Sequence, residues 1–500
     1  MANILLTTLN SRYSHSSLAL RYLYANLYEF QEDAKILEFV INENIQNIAE
    51  QILTCKPKIV AIGVYIWNAS DIYELLHVIK KVSPKTVVVL GGPEASHLPH
   101  RVNFDRADYI IKGEGEIAFY KLCKEILSGS YPKERIISSG MVDVRALKLP
   151  YQFYTQQDIQ NRHIYVEVSR GCPFLCEFCL SSVDEKMRNF DLDILLNEFE
   201  ILWQKGVRDF KFIDRTFNTN IRIANRILDF FLSKEPPYFA HFEVIPDHFP
   251  EPLKEKLKQF PSGSLQLEIG IQTLDIEIAN NINRPLKLDK IRENIRFLDT
   301  HTTAHIHLDL IVGLPGESIE GVGRNLDELV SLSTSEIQIG ILKKLSGTTL
   351  TRHDEKHGMI YSDIPPYDLL QNDLVSFAQM QEMKRFSRFW DLLYNSGNFK
   401  TTLPLLWGDK SVFDNFFDFS RWIFTQTAST WKISLDRLAK LLYEYLLHVK
   451  GYEAEFLAAY MIDDLLKIKG RKIPAYLKPY VKDIEQAEGL GTKHKRQAKH

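Results

Sequence analysis

Cysteine is scarce in this chain, five residues among 500, and a disulfide-built scaffold is excluded on that count. No apolar run reaches the ~20 residues a bilayer-spanning helix needs. Charge of one sign is also missing: 61 Lys and Arg face 64 Asp and Glu, a net charge of −3, so no global field draws the protein to nucleic acid or to an anionic membrane surface. The opening stretch, Met1-Ala2-Asn3-Ile4-Leu5-Leu6-Thr7-Thr8-Leu9, has neither the basic region nor the small-residue cleavage site of a secretory leader and reads as a strand. These absences lead to an expected cytoplasmic location, with no membrane and no nucleic acid as partner. What is present is the composition of globular domains, 45% hydrophobic and 25% charged. A chain of 500 residues exceeds one ordinary core, so two or three domains are expected.

Three of the five cysteines, Cys172, Cys176 and Cys179, stand together in Ser169-Arg170-Gly171-Cys172-Pro173-Phe174-Leu175-Cys176-Glu177-Phe178-Cys179-Leu180. The C-x3-C-x2-C spacing turns three thiolates toward one centre, one ligand fewer than a closed structural zinc site or a four-cysteine iron–sulfur cluster has. Such a centre keeps one coordination position open for a small molecule. The competing reading is a zinc site completed by a distant histidine. Zinc sites usually come as paired C-x2-C halves or with H-x3-5-H, and Cys55 and Cys123 lie far off in apolar helical patterns where buried thiols are common.

Around this motif the chain divides by periodicity. Residues 1–130 alternate strands and helices in five βα units, which predicts a doubly wound parallel sheet with ligands at the carboxyl ends of its strands. Glycine turns stand at those ends. Gly91-Gly92-Pro93-Glu94 lets backbone approach a bulky ligand because no Cβ intrudes, and Gly113-Glu114-Gly115-Glu116 sets amides at a helix start. His15, in the loop after the first strand, is on the same edge. Residues 131–163 read as a connector broken by Gly, Ser and Pro. Residues 164–350 carry six strand–helix repeats, a partial barrel whose chemistry belongs at the strands' carboxyl ends. Those ends are polar where buried parallel strands should be apolar. Asp214, Glu243 and Asp309 fall there, and Glu268, Gly270 and Gln272 alternate on one face. Buried salt bridges would explain any one of these carboxylates; the set as a whole points to a site. Residues 351–484 show helical spacing throughout, including one helix from Leu369 to Phe389, and their many aromatics read as core. Residues 485–500 are a basic tail.

The cysteine motif, with Phe178 at its aromatic position, resembles the radical S-adenosylmethionine (SAM) enzymes. The resemblance implies a [4Fe-4S] cluster held by Cys172, Cys176 and Cys179, SAM contacts from Phe178, Asp214, Glu243, Glu268, Gln272 and Asp309, and a Gly313-Leu314-Pro315-Gly316-Glu317 turn that supports the adenine. The first 130 residues resemble the cobalamin-binding domain of the B12-dependent branch. There His15, Gly91, Gly92, Pro93, Glu94, Gly113 and Glu114 are the implied cobalamin contacts. The D-x-H-x-x-G motif that supplies an axial histidine in better-known cobalamin domains is absent, which leaves the cobalt's axial ligand open. The C-terminal third is similar to an uncharacterised domain of the DUF4080 type. The fold class implied is α/β: a Rossmann-like cobalamin-binding domain, a (β/α)6 TIM-type radical SAM barrel and an all-α C-terminal domain. The activity implied is reductive cleavage of SAM to a 5′-deoxyadenosyl radical, for methyl transfer to, or rearrangement of, an unactivated carbon. The partners implied are a small-molecule substrate and a low-potential electron donor such as flavodoxin or ferredoxin. The alternative is a radical SAM enzyme whose first domain binds substrate instead of cobalamin.

Replacing any one of Cys172, Cys176 or Cys179 with Ala is expected to abolish both cluster iron and SAM cleavage. Iron and sulfide analysis after anaerobic reconstitution, beside a SAM-cleavage assay, checks this.

Overall fold

The computed structural model describes residues 3–468 and 470–481, and the basic tail read at 485–500 lies outside them. The first sheet contains β1 (Ile4–Asn10), β2 (Ala34–Val40), β3 (Ile59–Gly63), β4 (Val87–Gly91), β5 (Tyr109–Gly113) and β6 (Ile136–Gly140). All pair in parallel, in the order β2-β1-β3-β4-β5-β6. Chain order reverses on either side of β1, so a crevice opens at the carboxyl ends there. The sheet separates two apolar layers. Leu5, Val60, Val88 and Leu90 pack on one side, and Ile4, Leu6, Ala61 and Val89 on the other. β6 falls in the stretch read as a connector. Its sequence, IISSG, is half exposed at the sheet edge, too polar to signal a strand by itself.

The second sheet begins with β7 (Ile164–Val166), followed by a two-stranded ribbon, β8 (Ser169–Arg170) and β9 (Arg188–Asn189), that brackets the cysteine loop. Then come β10 (Asp209–Phe212), β11 (Phe239–Val244), β12 (Leu265–Gln272), β13 (His305–Val312) and β14 (Glu336–Ile341). The order β14-β13-β12-β11-β10-β7 is parallel throughout, as six βα repeats require. Along β12 burial alternates strictly. Leu265, Leu267, Ile269 and Ile271 are buried, and Gln266, Glu268, Gly270 and Gln272 take the other face.

The expected helix from Leu369 to Phe389 is divided. β15 (Ile360–Tyr361) and β16 (Leu369–Gln371) form a short antiparallel hairpin, and the helix starts only at Phe377, where Ser376 and Gln379 make a capping box. Helices Val412–Thr427, Leu435–His448 and Ala454–Leu466 follow. Phe386, Phe389, Trp390, Phe413, Phe416 and Phe419 are buried in one continuous core with barrel residues such as Leu326, Leu329 and Ile337. This region is a further layer of the barrel. Its closeness depends on Gly323, where a Cβ would lie 2.6 Å from the Phe413 ring. It also covers the open barrel edge: the Asn395 side-chain amide accepts from Ile337 N and donates to Ile337 O, each at 2.9 Å, replacing a missing strand.

The first domain is locked to the segment that leads into the barrel through a buried ionic cluster. Arg21 meets Glu38 at 3.0 Å and Asp158 at 2.8 Å, and Arg162 meets Glu38 at 2.8 Å. Removing one partner of a buried ion pair costs about 3–5 kcal/mol. Arg21→Met is expected at the lower end of that range, because Arg162 still faces both carboxylates, with a lowered thermal transition by calorimetry as the check.

Candidate active site

The cysteine loop is hung from its first residues. Both Asp214 carboxylate oxygens point at the end of β7, accepting from Val168 N at 3.0 Å, Ser169 N at 2.7 Å and Ser169 Oγ at 2.6 Å. Burial pushes Asp214 up to about 7, against these hydrogen bonds. Asp214 is thus occupied in holding the loop, and the SAM contact read for it in the sequence is not where its oxygens are directed. The other end of the loop is held by Glu177, which accepts from Arg352 Nε at 2.8 Å and from His353 Nε2 at 2.7 Å.

The three cysteines line one cavity of about 210 Å³ together with Phe178, Glu243, Glu268, Gly270, Gln272 and Asp309. All the remaining SAM residues read from the sequence therefore meet at one place. Burial, and the neighbouring Cys179 and Cys176, push the Cys172 thiol up. Three crowded sulfurs of this kind are suited to a cation that lets them ionise, which fits an iron–sulfur cluster. Burial would raise Glu268, but the His241 hydrogen bond at 2.8 Å and the positive field of His241, Lys211 and His307 hold it down to about 2. Asp309 is raised well above the usual carboxylate range by burial and by the nearby Glu268 and Glu243. Carboxylates crowded into one cavity suit a ligand with fixed positive charge, and SAM carries a sulfonium and an ammonium.

Gln272 stands at a register shift in β12 with φ +69°. Its amide lies over Gly270, where a Cβ would come within 2.5 Å of Gln272 Nε2. Two arginines also line this cavity, neither given a role in the sequence reading. Arg284 Nη1 lies 3.4 Å from Cys176 Sγ and its Nη2 donates to the Gly270 carbonyl, while Arg215 Nη1 bonds both Glu243 oxygens at 2.7 and 2.9 Å. Arg215 stands in the loop after β10, where the sequence signals a site residue, whereas Arg284 lies beyond the helix Ile276–Asn281. The Gly313-Leu314-Pro315-Gly316-Glu317 turn packs elsewhere. Glu317 accepts from Thr273 Oγ1 at 2.7 Å and Asn325 Nδ2 at 2.8 Å, and a Cβ on Gly313 would strike Leu369.

Arg215 and Glu243 also line a second cavity, of about 640 Å³, between the two sheets. Its walls include His15, Tyr65, Trp67, Tyr165 and Lys211. A third cavity, about 350 Å³, continues along the first sheet's edge beside Gly63, Gly91, Gly92, Pro93, Gly113, Glu114 and Gly115. Tyr65, Glu114 and Arg170 line both. A slot beside a wider chamber fits a corrin ring with a nucleotide tail. His15 gives its Nδ1 to Tyr165 Oη at 2.5 Å. Burial, then the fields of His163, Lys211 and Arg12, lower its pKa to about 4, so the imidazole stays neutral at physiological pH.

Three of the cobalamin readings need correction. Glu94 is buried and turned to Tyr367 Oη at 2.5 Å, where it joins the first domain to the C-terminal region. Glu114 borders the cavities, but its oxygens accept from Arg188 at 2.8 Å and from Val142 N at 2.6 Å. Gly92 is needed by the chain, since a Cβ there would lie 2.6 Å from Val64 O at φ +98°. Gly91 is the residue whose bare backbone opens the slot, with the nearest atom to a built Cβ 3.8 Å away.

Family models for a B12 binding domain, the radical SAM superfamily and a protein of unknown function (DUF4080) match residues 4–122, 166–329 and 355–499. An uncharacterised methyltransferase of Pyrococcus horikoshii is 25% identical over 67% of this chain and 77% of its own. The 2-(S-pantetheinyl)-carbapenam-3-carboxylate methyltransferase of Streptantibioticus cattleyicolor is 26% identical over 60% of this chain, which spans about half, 48%, of that enzyme. The cobalamin-dependent SAM radical enzyme OxsB, solved with aqua-cobalamin and SAM bound, has the same fold, with a TM-score of 0.61 over 92% of this chain and 78% of its own at 14% identity. The chain is a radical SAM protein with an N-terminal B12-binding domain. Within that class it carries the DUF4080 segment at its C-terminal end. The alternative of a first domain devoted to substrate is not favoured.

Gly91→Leu is expected to keep the fold while filling the slot, so that cobalamin no longer stays with the chain on gel filtration. Gly92→Ala should instead lower the melting temperature of the first domain, because the clash is with backbone. Melting curves and corrin absorbance separate the two.

Proposed function

We propose that this chain is a cobalamin-dependent radical SAM methyltransferase of the cytoplasm. It acts on an unactivated carbon of a small molecule and is fed by a low-potential donor of the flavodoxin or ferredoxin type. The observation that carries the reading is that three cavities adjoin through shared wall residues, from the glycine-lined sheet edge, past His15 and Tyr165, to the three cysteines. Relatives named as methyltransferases and a fold neighbour solved with cobalamin and SAM support it.

When bound, the cluster, SAM and cobalamin supply one-electron bond cleavage and a transferable methyl group. Cys172, Cys176 and Cys179 would hold the cluster. Glu268, held down by His241, would meet the positive charge of SAM, and Gln272 would offer an amide from the same strand. Arg215 braces Glu243 at the boundary of the cluster cavity and the middle chamber, so one ion pair borders both ligands. Asp309, its carboxyl raised by burial and by Glu268 and Glu243, lines the same cavity. Tyr65 and Trp67, stacked at 4.5 Å, give the chamber a flat aromatic wall.

The test is anaerobic reconstitution with iron, sulfide and cobalamin, followed by turnover with a reductant and a small-molecule extract. Methyl transfer predicts both 5′-deoxyadenosine and S-adenosylhomocysteine, the second only when cobalamin is present. Deoxyadenosine without cobalamin-dependent S-adenosylhomocysteine would replace methyl transfer by rearrangement. Failure to retain cobalamin would overturn the B12-dependent reading. Gln272→Ala should weaken SAM binding by about 1–3 kcal/mol, the cost of a lost buried hydrogen bond, with cluster iron unchanged.

A further inference from the structure

The amino-terminal mouth of the barrel, opposite the cysteine loop, has a second cluster of metal-binding side chains. His305 and His307 open β13, Glu336 opens β14, and His307 and Glu336 are register partners. His305 and His307 are two residues apart and share one face of the strand. One ligand atom from each of the three lies within 4.8 Å of the others. His305 Nε2 is 2.9 Å from Glu336 Oε1, and His307 Nε2 is 3.5 Å from Glu336 Oε2.

We propose that His305, His307 and Glu336 bind one divalent transition-metal ion of the zinc class. Bonds of ~2.0–2.1 Å in tetrahedral geometry put ligand atoms roughly 3.3 Å apart, and the two observed separations lie on either side of that value. The imidazoles meet edge to face, 87° between planes and 4.6 Å between centroids, and are not stacked. Two nitrogens and a carboxylate suit zinc and exclude calcium or magnesium, which take six or more oxygens.

The surroundings are those of a built site. The Gln338 and Gln266 side-chain amides meet His307 Nδ1 at 2.8 and 3.3 Å. Both contacts come from amide nitrogens, and turning these amides by 180° puts their carbonyls on Nδ1–H and leaves Nε2 as the ligand. Glu336 is buried, and a buried carboxylate needs positive charge beside it. Access is also provided: His305 and Glu336 line a cavity of about 440 Å³ between the barrel floor and the C-terminal region, with Asp299, Tyr394, Lys400 and Trp407 among its other walls. The fourth position of the ion faces that cavity. The site shares no residue with the cluster cavity, so it stands independently of the methyltransferase reading.

The test uses the full chain with its cluster reconstituted, stripped of loose metal by a chelator and titrated with Zn²⁺, and in parallel with Co²⁺ as a spectroscopic probe. One Zn²⁺ per chain should bind in addition to the cluster iron and raise the melting temperature. The Co²⁺ form should show ligand-field bands without thiolate charge transfer. His305→Ala and Glu336→Gln should each weaken zinc binding about tenfold or more with cluster iron unchanged, and Glu336→Gln should melt at the same temperature with and without Zn²⁺. Cys172→Ala should leave the zinc site intact. The proposal is overturned if the wild type takes up no zinc, if uptake survives both substitutions, or if Co²⁺ binds with a thiolate signature lost in Cys172→Ala.

Discussion

Arg170 is the side chain on which the arrangement of the two sheets depends. It stands two residues before the first cluster cysteine, and its guanidinium meets Glu167 at 3.0 Å on its own strand end, then Glu116 at 2.8 Å and Glu114 at 3.4 Å on the first domain. It also covers the Tyr22 ring at 4.8 Å. An arginine so enclosed can be kept only if carboxylates surround it, and those carboxylates come from both domains. The residue that starts the cysteine loop therefore also fixes the carboxyl edge of the first sheet across from it. The two edges where parallel sheets bind ligands are held face to face, with a cavity of about 640 Å³ between them.

The C-terminal region completes that arrangement from behind. Arg352 and His353 reach Glu177 inside the cysteine loop, Tyr367 reaches Glu94 at the first sheet's edge, and Asn395 pairs with the exposed strand β14. A segment without independent apolar closure touches all the parts that must stay in register. Its aromatics supply the shared core, so the region acts as structure for the site more than as a lid.

Much of this could be read in the residues, because parallel strands buried on both faces leave near-continuous apolar runs. The six barrel strands were legible for that reason, and Glu268 and Gln272 were found because polar residues at period two interrupt such a run. β6 was not, since IISSG has neither the length nor the apolar content to stand out. The helix expected from Leu369 failed differently: Leu369–Gln371 is a strand and the helix starts at Phe377, and apolar spacing on either side concealed the break. Gly92 and Glu94 show the limit most clearly. A glycine at a strand end has the same sequence signal whether it makes room for a ligand or for Val64, and a buried glutamate does not announce that its partner, Tyr367, is hundreds of residues away. Contacts of that separation are set by tertiary packing alone.

The central claim is that cobalamin and the cluster occupy adjoining cavities in one chain. Electron paramagnetic resonance of the reconstituted protein, with the cluster reduced and cobalt in its paramagnetic divalent state, tests it directly. The account predicts signals split or broadened by spin–spin coupling between the two centres. Two unperturbed signals, each identical to that of the protein loaded with one centre alone, would contradict it.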